Sequence, residues 1–171
     1  IDESNRILEF TGPTNWGFGY WHPDQRYYIE HLFEGLDQPG EWFLNKKEGR
    51  LYYMPMPGED MNTAKAMAPV APQLLRLEGK PAEGQFVSNL TFRGLKFYYT
   101  EFAVKPEGHS DGQAASSVPA AIEATGARNV HFDRCEVGHL GTYGLWFRSG
   151  SQDNKLTQSE VYDLGAGGIR I

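Results

Sequence analysis

The sequence predicts an all-β fold: a parallel β-helix with coils of about 24 residues, preceded by a small N-terminal segment holding a short helix and a β-hairpin. Two observations carry this expectation. Residues 132–147 and 156–171 are one pattern written twice, 24 residues apart. Glu136/Glu160, Val137/Val161, Leu140/Leu164, Gly141/Gly165 and Gly144/Gly168 are identical, and Phe132/Leu156, Leu145/Ile169 and Phe147/Ile171 are apolar equivalents. A repeat of this period, built from short apolar pairs and glycine corners without helical spacing, is the mark of one coil of a β-solenoid. Composition is the second observation: 171 residues that are 40% hydrophobic and 13% aromatic, with 20 glycines and 10 prolines, read as a globular, turn-rich β protein.

Residues 1–70 lack the repeat and form the predicted N-terminal segment, packed on the solenoid of residues 71–171. Ile29, Leu32, Phe33 and Leu36 have helical spacing, and the helix would end at Asp37-Gln38-Pro39-Gly40. Glu41-Trp42-Phe43-Leu44, a turn at residues 45–49 and Arg50-Leu51-Tyr52-Tyr53-Met54 read as a hairpin with aromatic cross-strand pairs. Residues 64–72 look like an extended connector, and Leu74-Leu75-Arg76-Leu77-Glu78 is the strand expected to start the stack.

Within the solenoid the pattern is apolar, any, apolar, two bend residues, apolar, any, apolar. It runs through Leu90, Phe92, Leu95 and Phe97, then Val130, Phe132, Cys135 and Val137, then Asn154, Leu156, Ser159 and Val161. Alternation with period two puts one set inside, and the bend lets the next strand face inward again. The offset between the first two coils is 40 because residues from about 99 to 119 form an inserted loop. Ile122 to Ala124 and Leu145 to Phe147 are expected to close two coils. The chain starts without Met and stops at Ile171 in mid-coil, so the remainder of the same polypeptide is expected to continue the stack.

Coils stack about 4.8 Å apart, so equivalent positions become neighbours in columns. Asn89, Asn129 and Asp153 share a corner that tolerates left-handed backbone. Lys96, Glu136 and Glu160 form an outward column, either a solvated ladder or a pair of carboxylates with a cation between them. Tyr99, His139 and Asp163 form a second, and Glu123, Trp146 and Arg170 a third. The second, flanked by Tyr98, Tyr143 and Trp146, suggests the floor of a saccharide groove, in which aromatics stack on sugar faces and carboxylates do acid/base work. The same aromatics would also serve simply to cover a β-surface.

Several classes of function are disfavoured. Sixteen Lys and Arg against 22 Asp and Glu give a net charge of −6 with no basic run, a poor match for nucleic acid. No stretch is long and apolar enough for a membrane span. Cys135 alone permits no intrachain disulfide and reads as a small buried hydrophobe. Five scattered histidines give no metal-ligand spacing, so neither metal nor cofactor is expected. Residues 165–168 read as a corner rather than a phosphate loop.

The hairpin Gly40-Glu41-Trp42-Phe43-Leu44 to Arg50-Leu51-Tyr52-Tyr53-Met54-Pro55, with Val118-Pro119-Ala120-Ala121-Ile122, Gly126-Ala127-Arg128-Asn129-Val130 and Asp163-Leu164-Gly165-Ala166-Gly167-Gly168, resembles the bacterial right-handed parallel β-helix proteins related to glycoside hydrolase family 141. The resemblance implies a secreted or periplasmic carbohydrate-active enzyme, with α-L-fucosidase and xylanase activities in the family, a pair of acidic catalytic residues on the solenoid face and no organic cofactor. Family members are several times longer, so their acids are not carried onto positions here.

The expected function is therefore that of part of a glycoside hydrolase acting on plant or microbial polysaccharide by a two-carboxylate mechanism. Asp163 is the first candidate for a catalytic carboxylate and Asp111, in the inserted loop, the second. His139, Tyr143, Trp146 and Tyr99, with His109 and Gln113 from the loop, are expected to bind the saccharide. A non-catalytic glycan-binding or adhesin-like solenoid is the alternative. A polysaccharide lyase ranks below both, because no basic patch is visible in the sequence.

Overall fold

The computed structural model describes residues 2, 4, 5, 7, 9, 16, 17, 19–22, 24, 26 and 28–171. Contacts divide the chain into two compact units, one of Thr14–Ala66 and one of Ile1–Pro13 with Met67–Ile171. Among the described residues no helix is long and apolar enough to cross a membrane.

In the Thr14–Ala66 unit the expected hairpin is present. Strands β1 (Trp42–Asn45) and β2 (Arg50–Tyr53) pair antiparallel, with Trp42 opposite Tyr53 and Phe43 opposite Tyr52. Gly49 takes φ +64° in the turn, where a side chain would be strained, and the Asn45 carboxamide oxygen accepts the Glu48 N–H at 3.1 Å. The helix expected over residues 29–36 is smaller than its spacing suggests: a single 3-10 turn, Phe33–Gly35. His31 lies at φ +58° two residues before it, the extended Leu32 at its start supplies no side-chain cap, and the segment is too short to offset the cost of nucleating a helix. Phe33 is used instead as a lid on the hairpin, its ring 5.0 Å from Tyr52 and 5.6 Å from Phe43.

The second unit is built from short strands: β3 (Leu75–Glu78), β4 (Val87–Ser88), β5 (Thr91–Arg93), β6 (Lys96–Thr100), β7 (Ala120–Thr125), β8 (Ala127–Arg128), β9 (His131–Asp133), β10 (Glu136–Leu140), β11 (Tyr143–Phe147), β12 (Lys155–Thr157), β13 (Glu160–Leu164) and β14 (Ile169–Arg170). They form four sheets, ordered β13-β10-β6, β14-β11-β7-β3, β12-β9-β5 and β4-β8, and every pairing is parallel. Glu136 pairs with Glu160 and with Lys96, and Phe132 with Leu156 and with Phe92. These are the 24- and 40-residue offsets that the sequence alignment contains. Residues 101–119 carry no strand and join β6 to β7.

The inward faces of the four sheets meet in one core that includes Leu77, Ile122, Ala127, Val130, Phe132, Val137, Leu140 and Leu145. Phe132 is fully buried and stacks on Phe92 at 4.9 Å. Cys135 is buried in the same core, and its backbone N–H donates to the Ser159 hydroxyl, one coil on, at 3.0 Å. Where the backbone of one corner meets that of the next, only glycine fits. A Cβ on Gly165 would lie 2.6 Å from the Gly141 carbonyl oxygen, which makes residues 165–168 a contact between corners.

The bends recur with the strands. Non-glycine residues hold left-handed backbone in three columns: Asn89, Asn129 and Asp153; Arg134 and Gln158, level with Gly94; and Tyr99, His139 and Asp163. In the first column the Asn129 amide donates to the Asn89 carboxamide oxygen at 2.7 Å, a ladder that offsets part of the strain. In the third, bulky side chains occupy a conformation that costs roughly 1–2 kcal/mol each.

Candidate functional site

The third bend column is where sheet β13-β10-β6 ends, and its backbone turns three side chains out in a row. His139 is the last residue but one of β10, and its Nδ1 lies 2.6 Å from Oδ2 of Asp163, the equivalent residue on β13. Tyr99, near the end of β6, stacks on the imidazole at 5.5 Å with the planes 13° apart. The structure thus brings together three residues separated by 40 and 24 positions in sequence. The His139 and Asp163 side chains are 39% and 68% exposed, so both reach solvent. With Asp163 ionised, Nδ1 is the donor, which fixes the tautomer and leaves Nε2 as the nitrogen open to a ligand.

Two further rings complete the group. Tyr98 and Tyr162 present edges to His139 at 5.2 and 5.3 Å, and the Tyr162 hydroxyl donates to the Tyr98 hydroxyl at 2.9 Å. Tyr98 in turn donates to Glu136, which also receives Lys96 Nζ at 2.9 Å. These contacts hold Glu136 below the usual carboxylate range, the Tyr98 hydrogen bond first and the Lys96 ammonium second. The same bond raises the Tyr98 phenol, and Glu136 raises the Lys96 ammonium. Lys96 thereby relieves the like charges of Glu136 and Glu160.

Tyr162 was not among the sequence candidates. Its place follows from Gly138, which leaves a notch in β10: a Cβ there would lie 2.9 Å from the Tyr162 ring. A glycine opposite a tyrosine in the aligned coils was the available signal.

The other candidates lie elsewhere. Tyr143 and Trp146 belong to β11, in the neighbouring sheet. Trp146 pairs with Glu123 and Arg170, as the alignment predicts, but guanidinium groups occupy its ring. Arg170 sits 3.7 Å from the ring centroid, from the β14 side. Arg148, tied to Glu123 of β7 at 3.1 Å, sits 4.0 Å from it. Arg170 also lies 5.2 Å over Tyr143. These rings are therefore engaged in cation–π contacts, Trp146 with two guanidinium groups and Tyr143 with one, which compete with a sugar for their faces. A cleft of about 330 Å³ nearby is lined by Arg76, Glu78, Glu123, Thr125 and Arg148, whose charges are already paired as Arg76–Glu78 and Arg148–Glu123.

In the inserted loop Asp111 fastens its own surroundings. Oδ2 lies 3.2 Å from His109 Nε2, while Oδ1 accepts the Ser117 N–H at 2.9 Å and the Ser116 hydroxyl at 3.2 Å. Its side chain is 7% exposed, and the Ser117 hydrogen bonds hold it ionised, below its ordinary range, against the effect of burial. Asp111 and His109 are thus a loop clasp, which makes Asp111 ill suited to donate a proton. Gln113 is exposed on the same loop.

Among the described residues no group of three His, Cys, Asp or Glu gathers in a way that could hold a metal ion. Compared with protein-family models, with curated proteins and with solved structures, the chain matches none.

Proposed function

We propose that this chain is part of a right-handed parallel β-helix and of a glycoside hydrolase acting on plant or microbial polysaccharide, with its reaction surface at His139 and Asp163. The handedness rests on the parallel pairing of strands joined by crossovers, such as β6, β10 and β13, because parallel crossovers are right-handed in about 98% of cases. The observation that carries the functional reading is the 2.6 Å His139–Asp163 contact set among three tyrosine rings. Tyrosines supply faces and hydroxyls for sugars. The His–Asp pair supplies a proton that can be given and taken back.

In this reading Glu136, linked to the group through Tyr98, takes the part expected of Asp111. Held ionised, it serves as base or nucleophile. Protonated His139 gives the Nε2 proton to the leaving oxygen, and Asp163 stabilises the imidazolium through Nδ1. Secretion to the extracellular space or periplasm fits a polymeric substrate. The test is release of reducing ends from defined oligosaccharides. Full turnover by Asp163→Asn would overturn the reading.

A second reading, a glycan-binding solenoid without catalysis, is favoured by the openness of the site: His139 and Asp163 are 39% and 68% exposed, whereas charged groups act most strongly where bulk solvent is screened out. Oligosaccharide binding with no turnover would select it.

A further inference from the structure

Sheet β12-β9-β5 carries a cluster that neither the sequence nor the proposed reaction uses. Asp133, on β9, is 7% exposed, yet two guanidinium groups converge on its Oδ2: Arg93 Nε of β5 at 2.8 Å and Arg134 Nε of the adjoining bend at 3.3 Å. The Thr157 hydroxyl of β12 donates to Oδ1 at 3.2 Å, and its oxygen lies 2.6 Å from His131 Nε2. Burial raises the Asp133 carboxyl, but the Thr157 hydrogen bond and the Arg134 and Arg93 charges outweigh it and leave the group ionised below its ordinary range.

One buried carboxylate thus anchors two arginines by the same atom type. Each is held through Nε, while the Arg93 and Arg134 side chains are 62% and 58% exposed. Their Nη groups have no hydrogen-bond partner among the described residues. Lys155, exposed on β12 and in register with His131, adds a third cation within the sheet. Two guanidinium groups therefore face solvent around a single buried anion, with Lys155 exposed on the same sheet, on a chain whose net charge is −6. Free, planar forks with fixed roots suit bidentate capture of a carboxylate, and anchoring through Asp133 lowers the entropy lost when they engage one.

We infer that Arg93 and Arg134 form a subsite for the carboxylate of a uronic acid residue, so that the glycan this protein takes is acidic. This rests on the carbohydrate reading above. The cluster was not visible in sequence because its cations stand 41 and 21 residues apart and meet only when the coils stack.

The test is calorimetric titration of the chain with an oligogalacturonate and with its methyl ester, at low and at raised salt. The expected result is at least about tenfold tighter binding of the free acid, with the preference lost in salt. Arg93→Lys and Arg134→Lys keep the charge on Asp133 but remove the fork. Each is expected to reduce the preference about threefold to tenfold while the thermal midpoint stays within a few degrees of wild type. Equal affinity for acid and ester, or an unchanged preference in both lysine variants, overturns the subsite and leaves the carbohydrate reading standing. Binding of neither ligand, nor of any neutral oligosaccharide, overturns both.

Discussion

His139 and Asp163 meet at 2.6 Å although 24 residues separate them, because they hold equivalent positions on the paired parallel strands β10 and β13. Their contact is a consequence of register, and one coil's imidazole is oriented by the next coil's carboxylate. On the hydrolase reading, Asp163→Asn is expected to reduce turnover at least about 100-fold, in line with loss of an acid/base group. His139→Ala should do the same. Reducing-end assays on purified variants, with circular dichroism to verify folding, check this. Retained turnover in either would remove the pair from the chemistry.

The aromatic residues divide by what covers them. Tyr99 lies flat on His139, while Trp146 is covered by Arg148 and Arg170. Tyr99→Ala is expected to weaken oligosaccharide binding about fivefold, the equivalent of roughly 1 kcal/mol of ring contact, and Tyr99→Phe to leave it nearly unchanged. Trp146→Phe should have little effect. Affinity electrophoresis in gels containing polysaccharide would separate these outcomes.

Glu136 makes stability depend on pH in a defined direction. Its folded value is depressed from the ordinary 4.5, so its contribution is present above that value and disappears as pH falls through the lower, folded one. Glu136→Gln should therefore unfold in less urea than wild type at neutral pH, and the difference should shrink steadily as the pH is lowered below 4.5 and the carboxyl becomes protonated. A difference that stays the same as the pH falls would mean that lost packing, not charge, is responsible.

Two glycines should respond differently to a methyl group. At Gly165 the added carbon meets backbone at 2.6 Å, and the corners must separate. Gly165→Ala should cost about 1–3 kcal/mol. At Gly138 it meets the far end of the Tyr162 side chain at 2.9 Å, which can swing away. Gly138→Ala should cost less than about 1 kcal/mol and show itself as lost Tyr162–Tyr98 contact. Urea titration measures the first difference, and tyrosine ring shifts in NMR spectra the second.

The strand registers could be read from sequence because parallel stacking converts a constant offset into a contact. Once Glu136 was aligned with Glu160, the meeting of Tyr99, His139 and Asp163 followed. Less could be read where side chains choose among neighbours. Alignment pairs Trp146 with Glu123 and Arg170, as the structure does, but says nothing of Arg148, just beyond the end of β11, reaching back over the ring. Asp111 looked like a free loop carboxylate because its partners Ser116 and Ser117 come from a local fold with no periodicity. The helix over residues 29–36 is shorter than its spacing predicts for a related reason: apolar spacing shows which face would be buried, not whether His31 will allow the turn to begin.

The left-handed column at Tyr99, His139 and Asp163 separates where a side chain is delivered from what it is. The backbone path is the same at all three positions, and it has accepted a phenol, an imidazole and a carboxylate in turn. Each coil thus offers one position whose residue can be exchanged without redirecting the chain. A change of substrate or chemistry at this surface would require replacing single residues in a row, with the strands beneath them left as they are.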